Sequence, residues 1–249
     1  ITLIQHPLQK LSKKLFQENY QIGYQKKNTR NLKRTIIGKI LPKEQEKFMK
    51  ALQESKVSVI MPVFNGMPYI KLAVKSILEQ TYKNIELIII DDASTDLTWK
   101  YLKSLKDKKI VLLKNQKTLG VATSLNKGLK KSKGLYIARM DADDISNPSR
   151  LEKQLKYLQK NPKVDLCGTW VDLIDQAGKK VGEKKFPTSP SQVKKSISWY
   201  AAVIHPTYMG KKSFFQGLNG YRQKYELAED YDLLSRAKNK YIIANIPLK

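Results

Sequence analysis

Cysteine is almost missing from this chain. Cys167 stands alone, so no intrachain disulfide can form and a disulfide-stapled fold is excluded. A reducing compartment fits that usage. The setting of Cys167, VDLCGTW, is apolar and reads as a small buried side chain, not a nucleophile. No apolar run reaches the ~18 residues of a membrane span, and no signal peptide is visible. The usual phosphate cradles are missing too: no Gly-x-Gly-x-x-Gly follows the first apolar run, and no Gly-x-x-x-x-Gly-Lys-Ser/Thr occurs. Nucleotide phosphates would then need a metal ion for neutralisation. Acids are few against bases, and the net charge is +25. That balance favours anionic partners: nucleotides, nucleic acid or an acidic membrane surface. The lysines lack interleaved aromatics, so no specific nucleic-acid partner is expected.

What is present is a chain of 249 residues, 41% hydrophobic, long enough to bury a substantial core. It begins at Ile1, not Met, as a trimmed chain would. Residues 1–55 are lysine-rich; LQKLSKKLFQ places Leu8, Leu11, Leu15 and Phe16 at helical spacing. A basic helical N-terminal extension is expected there, packed on the main domain or lying on an anionic membrane. From residue 56 the pattern becomes regular. KVSVIMPV, IELIII, KIVLLKN and GLYIARM read as strands, and MPYIKLAVKSILEQ, LTWKYLKSL, GVATSLNKGLKKS and SRLEKQLKYLQK as helices. Asp96 is expected to cap the second of these helices. Asn147 and Pro148 are expected as cap and first-turn proline of the fourth.

Four such alternations predict an α/β fold, a Rossmann-like, mostly parallel central sheet flanked by helices. Ligands bind such sheets beyond the carboxyl ends of the strands. Phe64-Asn65-Gly66, Asp91-Asp92 and Asp141-Ala142-Asp143 stand there. After residue 163 the alternation loosens. VDLCGTWVDLIDQAGKKVGEKKF reads as two strands turned at Ala177-Gly178, SPSQVKKSISWY as a helix capped by Ser189 or Ser191, and AAVIHPTYM as a strand. ELAEDYDLLSRAKNK runs from acids to bases, the polarity a helix dipole prefers. The expected organisation is 1–55 and 56–249, the latter with halves 56–163 and 164–249 extending one sheet.

Carboxylates on a tight turn suit a hard divalent cation, Mg²⁺ or Mn²⁺, bridging to a diphosphate. Asp141 and Asp143 take that reading against simple helix capping, whereas Asp144 is assigned to capping. Asp91-Asp92, delivered by a buried strand, suits recognition of N–H or hydroxyl groups on a base or ribose; the alternative is one turn cap and one solvated carboxylate. Glu229, Asp230 and Asp232 offer a general base or an ordinary acidic helix start. His205 in VIHPT suits a metal ligand, a phosphate contact or a hydrogen-bonded structural role.

VSVIMPVFNG, SILEQTYKNIELIIIDDASTD, LGVATSLNKGLKKSKGLYIARMDADD, NPSRLEKQL, IHPTYM and AEDYDLLSR occur in an order that resembles family 2 glycosyltransferases with the GT-A fold. The resemblance covers residues 56 to about 246. It implies inverting transfer from a nucleotide-diphosphate sugar, commonly a UDP-sugar, to an acceptor hydroxyl. It implies that Pro62 and Phe64 border the nucleoside base, Asp92 hydrogen-bonds it, and Asp141 lies near ribose or the metal shell. Asp143 would be the direct ligand of Mn²⁺ or Mg²⁺, His205 would lie near the diphosphate or metal, and Asp230 would be the catalytic base. The implied partners are a glycan or lipid-linked acceptor in surface polysaccharide synthesis, with cytoplasmic placement and peripheral contact at the inner face of an anionic cell membrane. The chain ends at IANIPLK, where relatives usually continue, so acceptor- or membrane-binding segments are expected beyond it. Two other classes compete. A sugar-phosphate nucleotidyltransferase would need a glycine-rich basic loop that PVFNGMPY does not supply. A non-catalytic polyanion-binding module rests on charge alone.

Overall fold

The computed structural model describes residues 55–248, which belong to one compact unit, Ala51–Lys249. The reading of a basic helical extension falls outside the described residues. The β-branched run Val57–Val63 forms strand β1, buried along its whole length. Helix α1, Ile70–Leu78, lays Ile70, Ala73, Val74 and Ile77 on one face of the sheet. Burial of each large apolar side chain in such a face contributes roughly 1.5–3 kcal/mol before chain entropy is counted. Strand β2 (Ile85–Asp91), helix α2 (Thr98–Ser104), strand β3 (Ile110–Lys114), helix α3 (Val121–Lys131), strand β4 (Tyr136–Arg139) and helix α4 (Arg150–Lys160) complete the alternation expected from the sequence.

Strands β1, β2, β3 and β4 pair in parallel, so their carboxyl ends share one edge. Proline is normally excluded from a central strand because it cannot donate to the ladder. Pro62 is tolerated because the β4 ladder stops at Ile60, leaving one side of β1 unpaired where the proline stands. The second half extends the same sheet. Strand β5 (Leu166–Thr169), strand β8 (Met209–Lys211) and strand β9 (Ile243–Ile246) give the order β3-β2-β1-β4-β8-β5-β9, with β8 antiparallel to both neighbours.

Side-chain alternation splits the core into two layers. Val57, Val59, Met61, Leu87 and Ile89 face α1, α2 and α4. Ile60, Ile88, Ile90 and Ile137 face α3 and the second-half helices α5 (Pro190–Ser196), α6 (Lys212–Gly217) and α7 (Glu229–Ala237). Among the described residues no helix is long and apolar enough to cross a membrane.

Several local readings are corrected. VDLCGTWVDLIDQAGKKVGEKKF holds three strands: β5 joins the main sheet, while β6 (Val171–Ile174) and β7 (Lys180–Lys184) form a separate hairpin. AAVIHPTYM is not a strand throughout; His205–Thr207 is a turn of 3₁₀ helix and pairing begins only at Met209. Pro206 has no N–H for a ladder and a fixed φ that suits a first helical turn. Of the two serines proposed as cap of α5, Ser189 accepts from the Gln192 amide. Helix α4 begins at Arg150, later than Asn147-Pro148 suggested.

Candidate active site

The loop after β1 is clasped to the loop after β2. Asn65 Oδ1 accepts from the Thr95 amide at 2.8 Å, Gly66 N donates to Thr98 Oγ1 at 2.8 Å, and Met67 N to Asp96 Oδ2 at 3.2 Å. Asp96 also accepts from the amide of Thr98, the first residue of α2, at 2.9 Å; the cap position itself falls to Leu97, one residue later than expected. These bonds frame Phe64, which is 51% exposed at the strand edge, while Pro62 stays buried within β1.

Both aspartates at the end of β2 are buried. Asp91 closes the turn, accepting from Ser94 N at 3.3 Å, and its Oδ1 has no partner among the described residues. Asp92 faces the loop between β3 and α3. Its Oδ1 accepts from Asn115 Nδ2 at 2.5 Å and Leu119 N at 2.9 Å, and its Oδ2 from Gly120 N at 2.8 Å. Two carboxylate oxygens offer about four acceptor positions, so one on Oδ2 remains open.

Beyond β4 the chain turns, and one carboxylate oxygen from each of Asp141, Asp143 and Asp144 lies within 4.8 Å of the others. Like charges so close raise the proton affinity of Asp141 and Asp144. Asp141 is raised chiefly by burial, with Asp143 and Asp230 adding to it and Arg139 opposing. Asp144 is pushed up to about 6, by burial first and then by Asp141 and Asp143. The structure corrects the capping role of Asp144. The cap position of α4 falls to Ser149, with no side-chain cap bond; Asn147 accepts from Ser149 N at 3.0 Å in the turn before the helix, and no hydrogen bond reaches Asp144 among the described residues. Three crowded carboxylate oxygens fit a hard divalent cation in charge and ligand type.

Two buried arginines hold this turn, and reading the sequence by motifs missed both. Arg139 pairs with Asp141 Oδ2. Arg150 donates to Ser146 Oγ at 2.8 Å, to the Arg139 carbonyl at 3.2 Å and to the Pro206 carbonyl at 2.8 Å. It thereby pins the acidic turn to the His205–Thr207 turn. Burial brings Arg150 down to about 10, still cationic at neutral pH. A clue to Arg139 was available: a charged residue ending the apolar strand YIAR, two positions before the first aspartate.

His205 does not join the carboxylate cluster. Its Nε2 is 3.0 Å from the Tyr221 hydroxyl and its Nδ1 3.6 Å from Glu229 Oε1. Burial, reinforced by Arg139, holds its pKa well below the ordinary histidine value. Asp230 lies in the first turn of α7, where the helix dipole favours a negative charge, and accepts from Tyr231 N at 2.6 Å. Its influence on Asp141 places these two carboxylates in one electrostatic neighbourhood, although they are far apart in sequence. Glu229 beside it is raised chiefly by burial. Asp232 points elsewhere. Burial alone would raise it, but hydrogen bonds from Arg222 and Arg236 outweigh that and hold it low.

The sequence model of the family described as "Glycosyl transferase family 2" matches residues 58–226. An uncharacterized glycosyltransferase of Haemophilus influenzae is 35% identical over 209 residues, covering 77% of this chain and 62% of the relative. The O-antigen biosynthesis glycosyltransferase WbnJ of Escherichia coli is 35% identical over 192 residues, covering 74% of this chain and 72% of the relative. Among solved structures, S. aureus TarS 1-349 in complex with UDP-GlcNAc superposes with a TM-score of 0.64 at 19% identity, covering 78% of this chain and 56% of that one. The chain thus spans under two thirds of the first relative and of that structure, and the structural likeness carries the fold alone.

Proposed function

Because the chain belongs to glycosyl transferase family 2, we propose that it transfers a sugar from a nucleotide-diphosphate donor, a UDP-sugar first, to an acceptor hydroxyl with inversion at the anomeric carbon. The acceptor is a glycan or lipid-linked glycan of surface polysaccharide synthesis, a context suggested by the name of WbnJ. The observation that carries the reading is the juxtaposition of a three-carboxylate turn with Asp230, which raises Asp141. A cation seat beside a helix-borne carboxylate is what a diphosphate leaving group and an attacking hydroxyl require.

Each residue has a part. Phe64, at the exposed end of β1, offers a face to the nucleobase, with Pro62 shaping the strand end behind it. Asp92 accepts a base N–H on its open Oδ2 position. Asp143, with Asp144, holds the divalent ion, while Asp141, kept in place by Arg139, faces the ribose or the outer metal shell. When bound, Mn²⁺ or Mg²⁺ supplies positive charge for the diphosphate oxygens as they take up the leaving electron pair. Asp230 takes the proton from the acceptor hydroxyl as that oxygen attacks C1 from the face opposite the diphosphate. A single displacement of this geometry inverts configuration. His205, neutral and held by Tyr221, orients the wall between the two halves and stands near the diphosphate without ligating the ion. The enzyme acts at the inner face of an anionic membrane as a peripheral protein.

A screen of UDP- and GDP-sugars for binding and hydrolysis, with and without Mn²⁺, tests this. Asp143→Ala is expected to weaken metal-dependent donor binding at least ~10-fold. Asp230→Asn is expected to spare binding and lower turnover by ~10²–10⁴, the usual worth of a general base. Normal turnover in both variants would sink the role assignments.

A further inference from the structure

We infer that Asn126 and Glu226 are positioning residues that couple nucleotide occupancy at Asp92 to the placement of Asp230. The inference rests on the functional reading above and adds a physical connection between its two ends.

Helix α3 runs between them. Asp92 holds the entry to its first turn through the Leu119 and Gly120 amides. The next amide in that turn, Val121 N, donates to Glu226 Oε1 at 3.1 Å, across 105 positions of sequence. Further along the helix, Asn126 grips the backbone of Tyr221 twice: Nδ2 donates to its carbonyl at 2.7 Å, and Oδ1 accepts from its amide at 2.9 Å. Both tethers occupy space kept open by glycine. A Cβ on Gly120 would overlap the Glu226 carboxylate, and a Cβ on Gly220 would overlap Asn126 Oδ1; both glycines have positive φ, at 84° and 67°.

The tethered segment, 221–228, leads directly into Glu229-Asp230. Residues 222–228 are exposed, and Leu227 is 96% exposed at a φ of 69°. Little core packing therefore fixes them. The Arg222–Asp232 ion pair ties the segment to α7 itself and says nothing of its place relative to β2. The three bonds to α3, one at Val121 and two at Asn126, do that for the exposed segment, while Leu233 and Leu234 seat α7 itself in the core. At the near end, the Tyr221 hydroxyl reaches His205 Nε2, so the same tether also sets the His205 wall. A base that engages Asp92 stiffens the amides Asp92 already holds, and α3 passes that order to the turn bearing Asp230. Coupling of this kind is reciprocal, because the free energy linking the two ends is shared.

Hydrogen–deuterium exchange on the full chain, with UDP and GDP each tested with Mn²⁺, reads the connection directly. In the wild type, the nucleotide that binds is expected to slow exchange in 115–125 and also in 221–230, by about five-fold or more, the low end of ordinary site-to-site coupling. Glu226→Ala and Asn126→Ala are expected to keep protection at 115–125 and lose it at 221–230. Glu226→Gln, whose side-chain carbonyl still accepts from Val121, is expected to retain both. Should Asn126→Ala fold poorly, the surface variant Glu226→Ala decides alone. Protection at 115–125 without protection at 221–230 in the wild type, or retained protection at 221–230 in Glu226→Ala, would overturn the coupling and leave the functional reading intact. Absence of protection at 115–125 with either nucleotide would remove both.

Discussion

Asp144 is the carboxylate whose charge the acidic turn tolerates least. Burial and then its two neighbours push it up to about 6, above the 3.8 it would have in an unfolded chain. The folded protein without a cation therefore binds the extra proton between those values. Stability from this group is present at low pH and lost as pH rises through about 6. A divalent cation reverses that preference, because it binds the ionised form and must expel the proton below pH 6. The stabilisation produced by Mn²⁺ in thermal melts is expected to be large at pH 7, to shrink toward pH 5, and to lose most of this pH dependence in Asp144→Asn. An equal Mn²⁺ shift at both pH values would place the ion elsewhere. At this scale the sequence announces the aspartates and conceals their partners. Asp141, Asp143 and Asp230 stand at strand and helix ends that patterning locates. Arg139, Arg150, Asn115 and Asn126 have no motif, since their roles arise from contacts between elements. The misreading of Asp144 as a cap has the same origin: capping depends on the first helical residue, and α4 starts at Arg150.

Helix α3 shows how element packing overrides propensity. Gly128 sits in its interior, where alanine would ordinarily gain about 1 kcal/mol. Here the helix lies so close to the sheet that a Cβ would run into Ile60 and approach Ile90 to 3.1 Å. Ile60 meets it with Cγ2, held by a stiff β-branched χ1, and both isoleucines are buried, so little room can open. Overpacking of this kind costs about 1–3 kcal/mol, which outweighs the propensity gain. Gly128→Ala is expected to lower the denaturation midpoint, whereas Lys130→Ala on the exposed face is expected to change stability by no more than about 0.5 kcal/mol. A stabilised Gly128→Ala would mean that α3 stands farther from β1. The elements themselves were readable wherever period and length agreed, as in the four strand–helix alternations of residues 56–160. They were less readable in 164–211, where short strands carry Gly168 and Gly210 inside them and Pro206 stands just before β8. Membership of β5 in the main sheet and of β6–β7 in a separate hairpin depends on partners far along the chain, which alternation cannot name.

At the scale of the whole molecule, the two halves seen in the sequence do not own separate cores. Strand β8 of the second half is inserted between β4 and β5, so the sheet is continuous across them. One apolar layer joins Leu151 to Cys167 and Ala244, and the other joins Ile88 to Phe214 and Leu233. Opening either half would expose apolar surface of the other, the condition for a single cooperative transition. Cys167 is a built-in probe of this. It is fully buried in β5, Gln154 donates to its carbonyl at 3.3 Å, and burial pushes its thiol up to about 12. A thiol in that state reacts only after the strand opens. The free energy of opening obtained from Cys167 labelling is expected to equal the global value from tryptophan fluorescence in denaturant, within about 1 kcal/mol, as for a residue in the most stable unit of a domain. The lone cysteine and the three tryptophans, Trp99, Trp170 and Trp199, all lie within residues 55–248, so both probes report on the same unit. Labelling at a distinctly lower free energy would mean that the second half opens alone. The shared sheet would then not be enough to hold Asp230 in register with the acidic turn.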